Sequence, residues 1–353
     1  MQKSLRVDKE DKFVDGNEHL GHAWSHPSWK DLLEKQDDAI DILRMNSHVQ
    51  RGGSFRAKLK AFLACRSLQN LYFATCLHEW KEIQQVVETN SNRLALDPFF
   101  NAEILERYAI LINRIQLSPP ELMKGSNVGD AIVARLDRLA QDCRQVLEEG
   151  MRLEEQIARV KDFLVNEKGF VGNSDDYYNY RNSLLDCALE TKKGIPITLA
   201  ILFVCVFRRL GLEASLVGLP GHVVLGFRTE DGESSFIDVF REGNILSVAD
   251  CQQICFSYGF PWQPEFLCPL PAPAVFQRCL NNLSNCYFHA LANSTEPFQA
   301  DLFFNQRAIA SVHKQPPGVA AILVERLIGE IPLTLQSDLL RFHGLMAPLE
   351  SQT

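Results

Sequence analysis

Two residues near the middle of this 353-residue chain have the types expected of an acid–base pair. His222 follows the turn signal Pro220–Gly221, and Asp238 lies in the next segment of strand composition. A carboxylate beside an imidazole orients the ring and stabilises its cationic form, as a base–orienter pair requires. The third position of such a set would be the N-terminus of the apolar helix read over Ile195 to Leu210. A cysteine placed there would have its thiol pKa lowered by the helix dipole and by the neighbouring imidazolium. Nucleophile, His and Asp would then follow in the order used for thiol-based acyl transfer.

The elements that must hold these residues read as α+β. Gly194 and Pro196 open the apolar helix and Gly211 closes it, the usual punctuation of a helix start and stop. Three strands follow over 213–219, 222–227 and 235–240. The first connection is Pro220–Gly221, and the second runs from Thr229 to Ser234 with an Asp-Gly hairpin signal. A buried helix followed by an antiparallel meander is an α+β arrangement. Upstream, residues 54–168 read as a helical lead-in. Ile104, Leu105, Tyr108, Ile112 and Ile115 make one apolar stripe, and Ile132, Leu136, Leu139 and Cys143 make another. Such stripes need a covering surface, either each other plus the next domain or the helix of a partner. Residues 1–53 read as a polar, loosely ordered arm, with Trp24 and Trp29 as candidate anchors of a short piece. The prolines from Pro261 to Pro273 read as a linker. Residues 269–353 read as a helical C-terminal region, interrupted at Pro316–Pro317, that fits one or two degenerate helical hairpins.

The stretch Tyr177-Tyr178-Asn179-x-x-Asn182-Ser183, then Gly194-Ile195-Pro196-Ile197-Thr198-Leu199, Arg208-Arg209-Leu210-Gly211-Leu212, Pro220-Gly221-His222 and Phe236-Ile237-Asp238-x-Phe240 resembles the SirB-type transglutaminase-like family. The family occurs in bacterial proteins with a helical lead-in and tetratricopeptide-like C-terminal helices, and in an animal F-box protein. The resemblance implies a papain- or transglutaminase-like core over residues 169–268, flanked by α-helical segments. It places His222 and Asp238 at the family's His and Asp positions. The nucleophilic cysteine of active transglutaminase-like enzymes stands two residues after a Gly and four before a small residue. Counting from Gly194 and from Ala200 lands on Pro196 both times. Proline has no nucleophilic side chain, and the SirB-type branch has Gly-Ile-Pro here.

Substitute nucleophiles are few. Thr198 lies two residues into the helix, rotated away by ~100° per residue. Cys205 lies further down the apolar face and reads as core, while Cys187 precedes the helix. Asn182 and Tyr178 read as cleft-lining or as turn and packing residues before the helix. Arg208–Arg209 reads as a solvated helix end facing the negative helix terminus. For His222 and Asp238 two readings stay open: a working site, or a structural pair kept because each buried partner satisfies the other.

Composition narrows the function classes. A net charge of −8 and a pI near 5.7 argue against general nucleic-acid binding, which needs cations to neutralise phosphates. The longest central apolar run, Ile195 to Phe207, falls short of the ~20 residues of a membrane span. The opening Met-Gln-Lys-Ser-Leu-Arg lacks an apolar core, and Asp8, Glu10, Asp11 and Asp15 break an organellar presequence. Ten scattered cysteines fit reduced thiols in a cytoplasmic protein, with an organelle such as the plastid left open. Cys251-x-x-x-Cys255 has no nearby His to complete a zinc site. No cofactor or metal is expected. The expected function is a non-catalytic transglutaminase-like protein that recognises or scaffolds proteins through its helical flanks. The alternatives are acyl transfer or amide hydrolysis from a relocated nucleophile, and a ubiquitin-ligase substrate adaptor, although no F-box-like start is found in the first fifty residues.

Overall fold

A helix that is apolar on every face has to be covered on every face. The computed structural model describes residues 75–117 and 127–291, and it arranges them around one such helix. The chain order begins with helices α1 (75–89 of the described residues), α2 (Ser91–Leu96), α3 (Pro98–Ile115), α4 (Val128–Arg144) and α5 (Leu153–Asp162). It continues with β1 (Val171–Gly172), α6 (Leu185–Thr191), β2 (Lys193–Gly194) and α7 (Pro196–Leu210). The last elements are β3 (Ser215–Val217), β4 (Val224–Arg228), β5 (Ser234–Asp238), β6 (Asn244–Leu246), α8 (Val248–Ser257) and α9 (Ala272–Leu291).

Every residue of α7 from Pro196 to Phe207 is buried. α3 and α4 pack on it and on each other, α6 joins them, and β3 and β4 cover it from the sheet. Burying each large apolar side chain contributes about 1.5–3 kcal/mol, so this helix is the main source of cohesion. The apolar stripes of the lead-in are thus spent on the central helix. α3 starts where Asp97 accepts hydrogen bonds from the Phe99 and Phe100 amides, both at 3.0 Å, with Pro98 in the first turn. α7 stops at Gly211, whose φ of 76° is the left-handed conformation that glycine adopts without strain.

The architecture is α+β, with β3-β4-β5-β6 forming an antiparallel meander. Leu216 faces Leu225, Leu225 faces Ile237, and Ile237 faces Ile245 across it. The three strands expected from the sequence are all present but shorter. β6 and the two-residue parallel pair β1–β2 were not expected. Their lengths are below what an alternating pattern can reveal, and β1–β2 is set by distant chain rather than by local signals. α8 carries a legible signal that the cysteine spacing alone does not use: Ser247 and Asp250 cap it reciprocally.

Two expectations need correction. Arg208 and Arg209 are not a solvated helix end. Both Oε atoms of the buried Glu106 are gripped, by Arg209 Nη1 at 2.5 Å and Nη2 at 2.8 Å and by Arg208 Nη2 at 3.0 Å. Arg209 Nε also bonds Asp137 at 2.6 Å. The carboxylate comes from α3, a hundred residues away in the chain, which no local pattern discloses. The proline-rich stretch is not a free linker either. Pro269 bridges to Val217, the Leu270 amide donates to the Leu216 carbonyl at 2.8 Å, and Trp262, Phe266 and Leu267 pack on the core around Phe236 and Cys251. Asn101 then ties the start of α9 to α3 through the Leu270 carbonyl and the Ala272 amide.

The expectations for the 1–53 arm with Trp24 and Trp29 and for the Pro316–Pro317 interruption lie outside the described residues. Among the described residues, no helix is long and apolar enough to cross a membrane.

Candidate functional site

The site is built at one end of the meander. Leu219, Pro220, Gly221 and His222 form a tight turn closed by the His222 amide donating to the Leu219 carbonyl at 3.1 Å. Proline second and glycine third, the latter at φ 73°, are the residues a type II turn demands. Any side chain at Gly221 would also meet the Tyr258 ring at 2.6 Å. From α9, Arg278 Nη2 donates to the Leu219 carbonyl at 3.4 Å and to the His222 carbonyl at 3.3 Å, so it grips both ends of the turn. Gly218 makes room, since a Cβ there would lie 2.4 Å from Arg278 Nη1.

Antiparallel pairing does the rest. Leu225 faces Ile237, which brings the residues just before β4 beside the end of β5. His222 Nε2 then meets Asp238 Oδ2 at 2.8 Å, with side-chain exposures of 4% and 1%. The other carboxylate oxygen accepts from the Phe240 and Arg241 amides, both at 3.1 Å. Both oxygens of the buried carboxylate are therefore satisfied. The bond to Asp238 is the only hydrogen bond of the imidazole among the described residues. No Cys, Ser or Thr side chain bonds it there.

The N-terminus of α7 is joined to this pair through Phe240. The Phe240 ring lies edge-on to His222 at 6.3 Å and to Tyr177 at 6.1 Å. It presses on Gly172 so closely that a Cβ would sit 2.4 Å from the ring and 2.5 Å from the Phe240 carbonyl. Gly172 in turn pairs with Gly194 in the β1–β2 ladder, one step before the Ile195 cap of α7. Pro196 occupies the first turn of α7 and is buried.

Asn182 is a brace. Its Nδ2 donates to the Asp176 carbonyl at 2.6 Å, its Oδ1 accepts from Asn173 at 2.9 Å, and its carbonyl accepts the Ile195 amide at 3.2 Å. Tyr178 is exposed and stacks edge-on against Tyr177 at 5.4 Å. Thr198 is buried and lines a small void with Ser183, Asn113 and Cys279, away from the imidazole. Burial pushes the Cys187 thiol up to about 12, with Asp186 adding to the effect, and holds the wholly buried Cys205 thiol well above its ordinary value. Cys251 and Cys255 sit in the apolar core under the sheet, and burial pushes Cys251 up to about 12 as well. Among the described residues no group of three or more His, Cys, Asp or Glu side chains is placed to hold a metal.

Residues 130–281, from α4 into α9, match the family described as the transglutaminase-like superfamily. This part of the chain is similar to transglutaminase-like domains. Curated relatives align with it in pieces. A UPF0162 protein of Xylella fastidiosa is 31% identical over 138 residues, which is 37% of this chain and 49% of that protein. F-box only protein 21 of Mus musculus is 32% identical over 98 residues, 26% of this chain and 16% of that protein. A UPF0162 protein of Vibrio cholerae is 24% identical over 190 residues, 52% of this chain and 66% of that protein. The chain spans about half the length of the first of these relatives. No solved structure matches. Within this matched region, the sequence pattern brought forward His222 and Asp238 but not Arg278 and Phe240 as the residues that position them. A Gly-Leu-Pro-Gly-His turn gives no hint of a guanidinium supplied by a helix more than fifty residues later.

Proposed function

We propose that this protein is a non-catalytic transglutaminase-like protein of the SirB type, with Pro196 at the nucleophile position, and that it serves in recognising or scaffolding other proteins. One observation carries the reading: the His222 ring, fixed on Asp238, has no hydroxyl or thiol hydrogen-bonded to it among the described residues. A base with nothing to deprotonate cannot begin covalent acyl transfer. The raised thiols of Cys187 and Cys205 add support, because a protonated, enclosed sulfur is a poor nucleophile. The partner surface is assigned to the helical flanks, and the setting to the cytoplasm.

The intact His222–Asp238 pair favours a second reading, acyl transfer or amide hydrolysis with a relocated nucleophile. The likeness to F-box only protein 21 favours a role as a substrate adaptor in ubiquitin ligation as a more specific form of the recognition reading. A thiol-directed activity probe with mass-spectrometric readout separates catalysis from recognition. Applied to the full chain and to His222→Ala, it is expected to label the exposed Cys268 equally in both and to find no cysteine whose labelling depends on His222. A cysteine labelled rapidly in the wild type and slowly in the variant would overturn the non-catalytic reading.

A further inference from the structure

Away from His222 and Asp238, four cations converge on an open cavity of about 250 Å³. Arg135 and Arg138 come from α4, Lys168 from the turn after α5, and Lys192 from the residue that ends α6. Leu139 and Leu189 supply its apolar lining, and Asp142 is its single carboxylate. That carboxylate is already paired with Lys168 at 2.7 Å. Arg138 makes no hydrogen bond or ion pair among the described residues, and Arg135 reaches only the Asp186 carbonyl at 3.5 Å. On a chain of net charge −8, four cations against one carboxylate is a marked local reversal.

The two lysines are held in place rather than left to wander. Lys192 Nζ lies 4.6 Å from the Phe170 ring centroid and donates to the Leu189 carbonyl at 2.6 Å, and Lys168 Nζ lies 5.0 Å from the Phe163 centroid. Lys192 also adopts φ 63°, a left-handed conformation at a helix end where glycine is the usual occupant. Burial, with Arg135 and Lys168 nearby, lowers its pKa from the ordinary lysine value. That is the response of an ammonium crowded by like charge, and a bound anion would relieve it.

We propose that this cavity binds a compact phosphate-class oxyanion, carried by a small molecule, between Arg138, Arg135 and the two lysines. Ligand pockets for drug-sized molecules run to about 300–1,000 Å³, so this cavity suits a phosphate or pyrophosphate group rather than a large organic ligand. Planar guanidinium groups match phosphate oxygens in pairs, and a multiply charged anion balances the excess cations better than one carboxylate does. The site is independent of the reading given to His222.

Equilibrium dialysis of the full chain against inorganic pyrophosphate, at ionic strength held constant with sodium chloride, tests the proposal. Glycerol phosphate in a parallel arm distinguishes a bare inorganic anion from an esterified phosphate. Saturable binding is expected in at least one arm, weakened about tenfold or more by Arg138→Gln and by Lys192→Gln, the loss expected for a hydrogen bond to a charged group. Arg228→Gln, on the hairpin outside this cavity, is expected to bind as the wild type does. Arg138 is exposed, so its variant keeps the fold, and circular dichroism checks this directly. No saturable binding in either arm, or equal binding by folded wild type, Arg138→Gln and Lys192→Gln, would overturn the proposal.

Discussion

At the C-terminal end of α7, the Glu106 carboxylate is enclosed by the guanidinium groups of Arg208 and Arg209. Across the Gly172–Phe240 contact from its N-terminal end, the Asp238 carboxylate is enclosed by one imidazole and two backbone amides, with only the exposed Arg241 guanidinium further off at 3.9 Å. Both carboxylates are buried and both have every oxygen satisfied, yet their partners differ in kind. The arginines are permanent cations that answer one charge with two, which makes a clamp between α3 and α7. The imidazole answers with a single nitrogen and keeps its other ring nitrogen without a hydrogen bond among the described residues. The first cluster is complete as structure. The second has the form of a chemical site with one member absent, in keeping with the proposal that Pro196 stands at the nucleophile position.

The clamp should be the costlier of the two to break. Glu106→Gln leaves two arginines facing a neutral amide, and about 3 kcal/mol of stability is expected to be lost, read from urea unfolding. The loss should depend on pH. Burial would raise the Glu106 pKa, but Arg209 and Arg208 outweigh it and bring it below the ordinary value. A lowered folded pKa means that the folded state binds fewer protons, so this contribution is present above the unfolded pKa and fades as pH falls through the folded one. The gap between wild type and Glu106→Gln should therefore shrink below about pH 4. A gap that widens on acidification would contradict the clamp.

At the other end, Asp238→Ala strips the acceptor from the imidazole and from two amides, for an expected loss of about 2–3 kcal/mol. His222→Ala leaves the carboxylate its two amide donors and should cost less, about 1–2 kcal/mol in the same unfolding measurement. The reverse order would mean that the ring's packing on Phe240, and not the carboxylate, holds this corner together. Gly172→Ala drives a methyl group into the Phe240 ring and carbonyl, and about 1–2 kcal/mol is expected as the contact adjusts. A loss near zero at this site would break the link drawn between α7 and the His222 turn.

How much of this was legible follows from how each feature is encoded. Gly194, Pro196 and Gly211 marked α7 to within a residue, because helix ends are written in local backbone chemistry. His222 and Asp238 came together because a hairpin joins near neighbours, and the Asp231–Gly232 turn announces it. Arg278, Phe240 and the Glu106 clamp were illegible for the opposite reason. Each is a contact between segments far apart in sequence, where periodicity tells which face is buried but not which polar group is waiting there. The short strands β1 and β2 failed on length as well as on distance.

The most direct test of the central claim places a thiol at position 196. Alkylation rates across pH, followed cysteine by cysteine by mass spectrometry, should show that Pro196→Cys gains a thiol reactive below the ordinary thiol pKa of about 8.5. Adding His222→Ala to that variant should slow it, while the wild-type chain shows no His222-dependent thiol. If Cys introduced at 196 reacts no faster than the exposed Cys268 and ignores His222, Pro196 does not stand at a nucleophile position and the account is wrong.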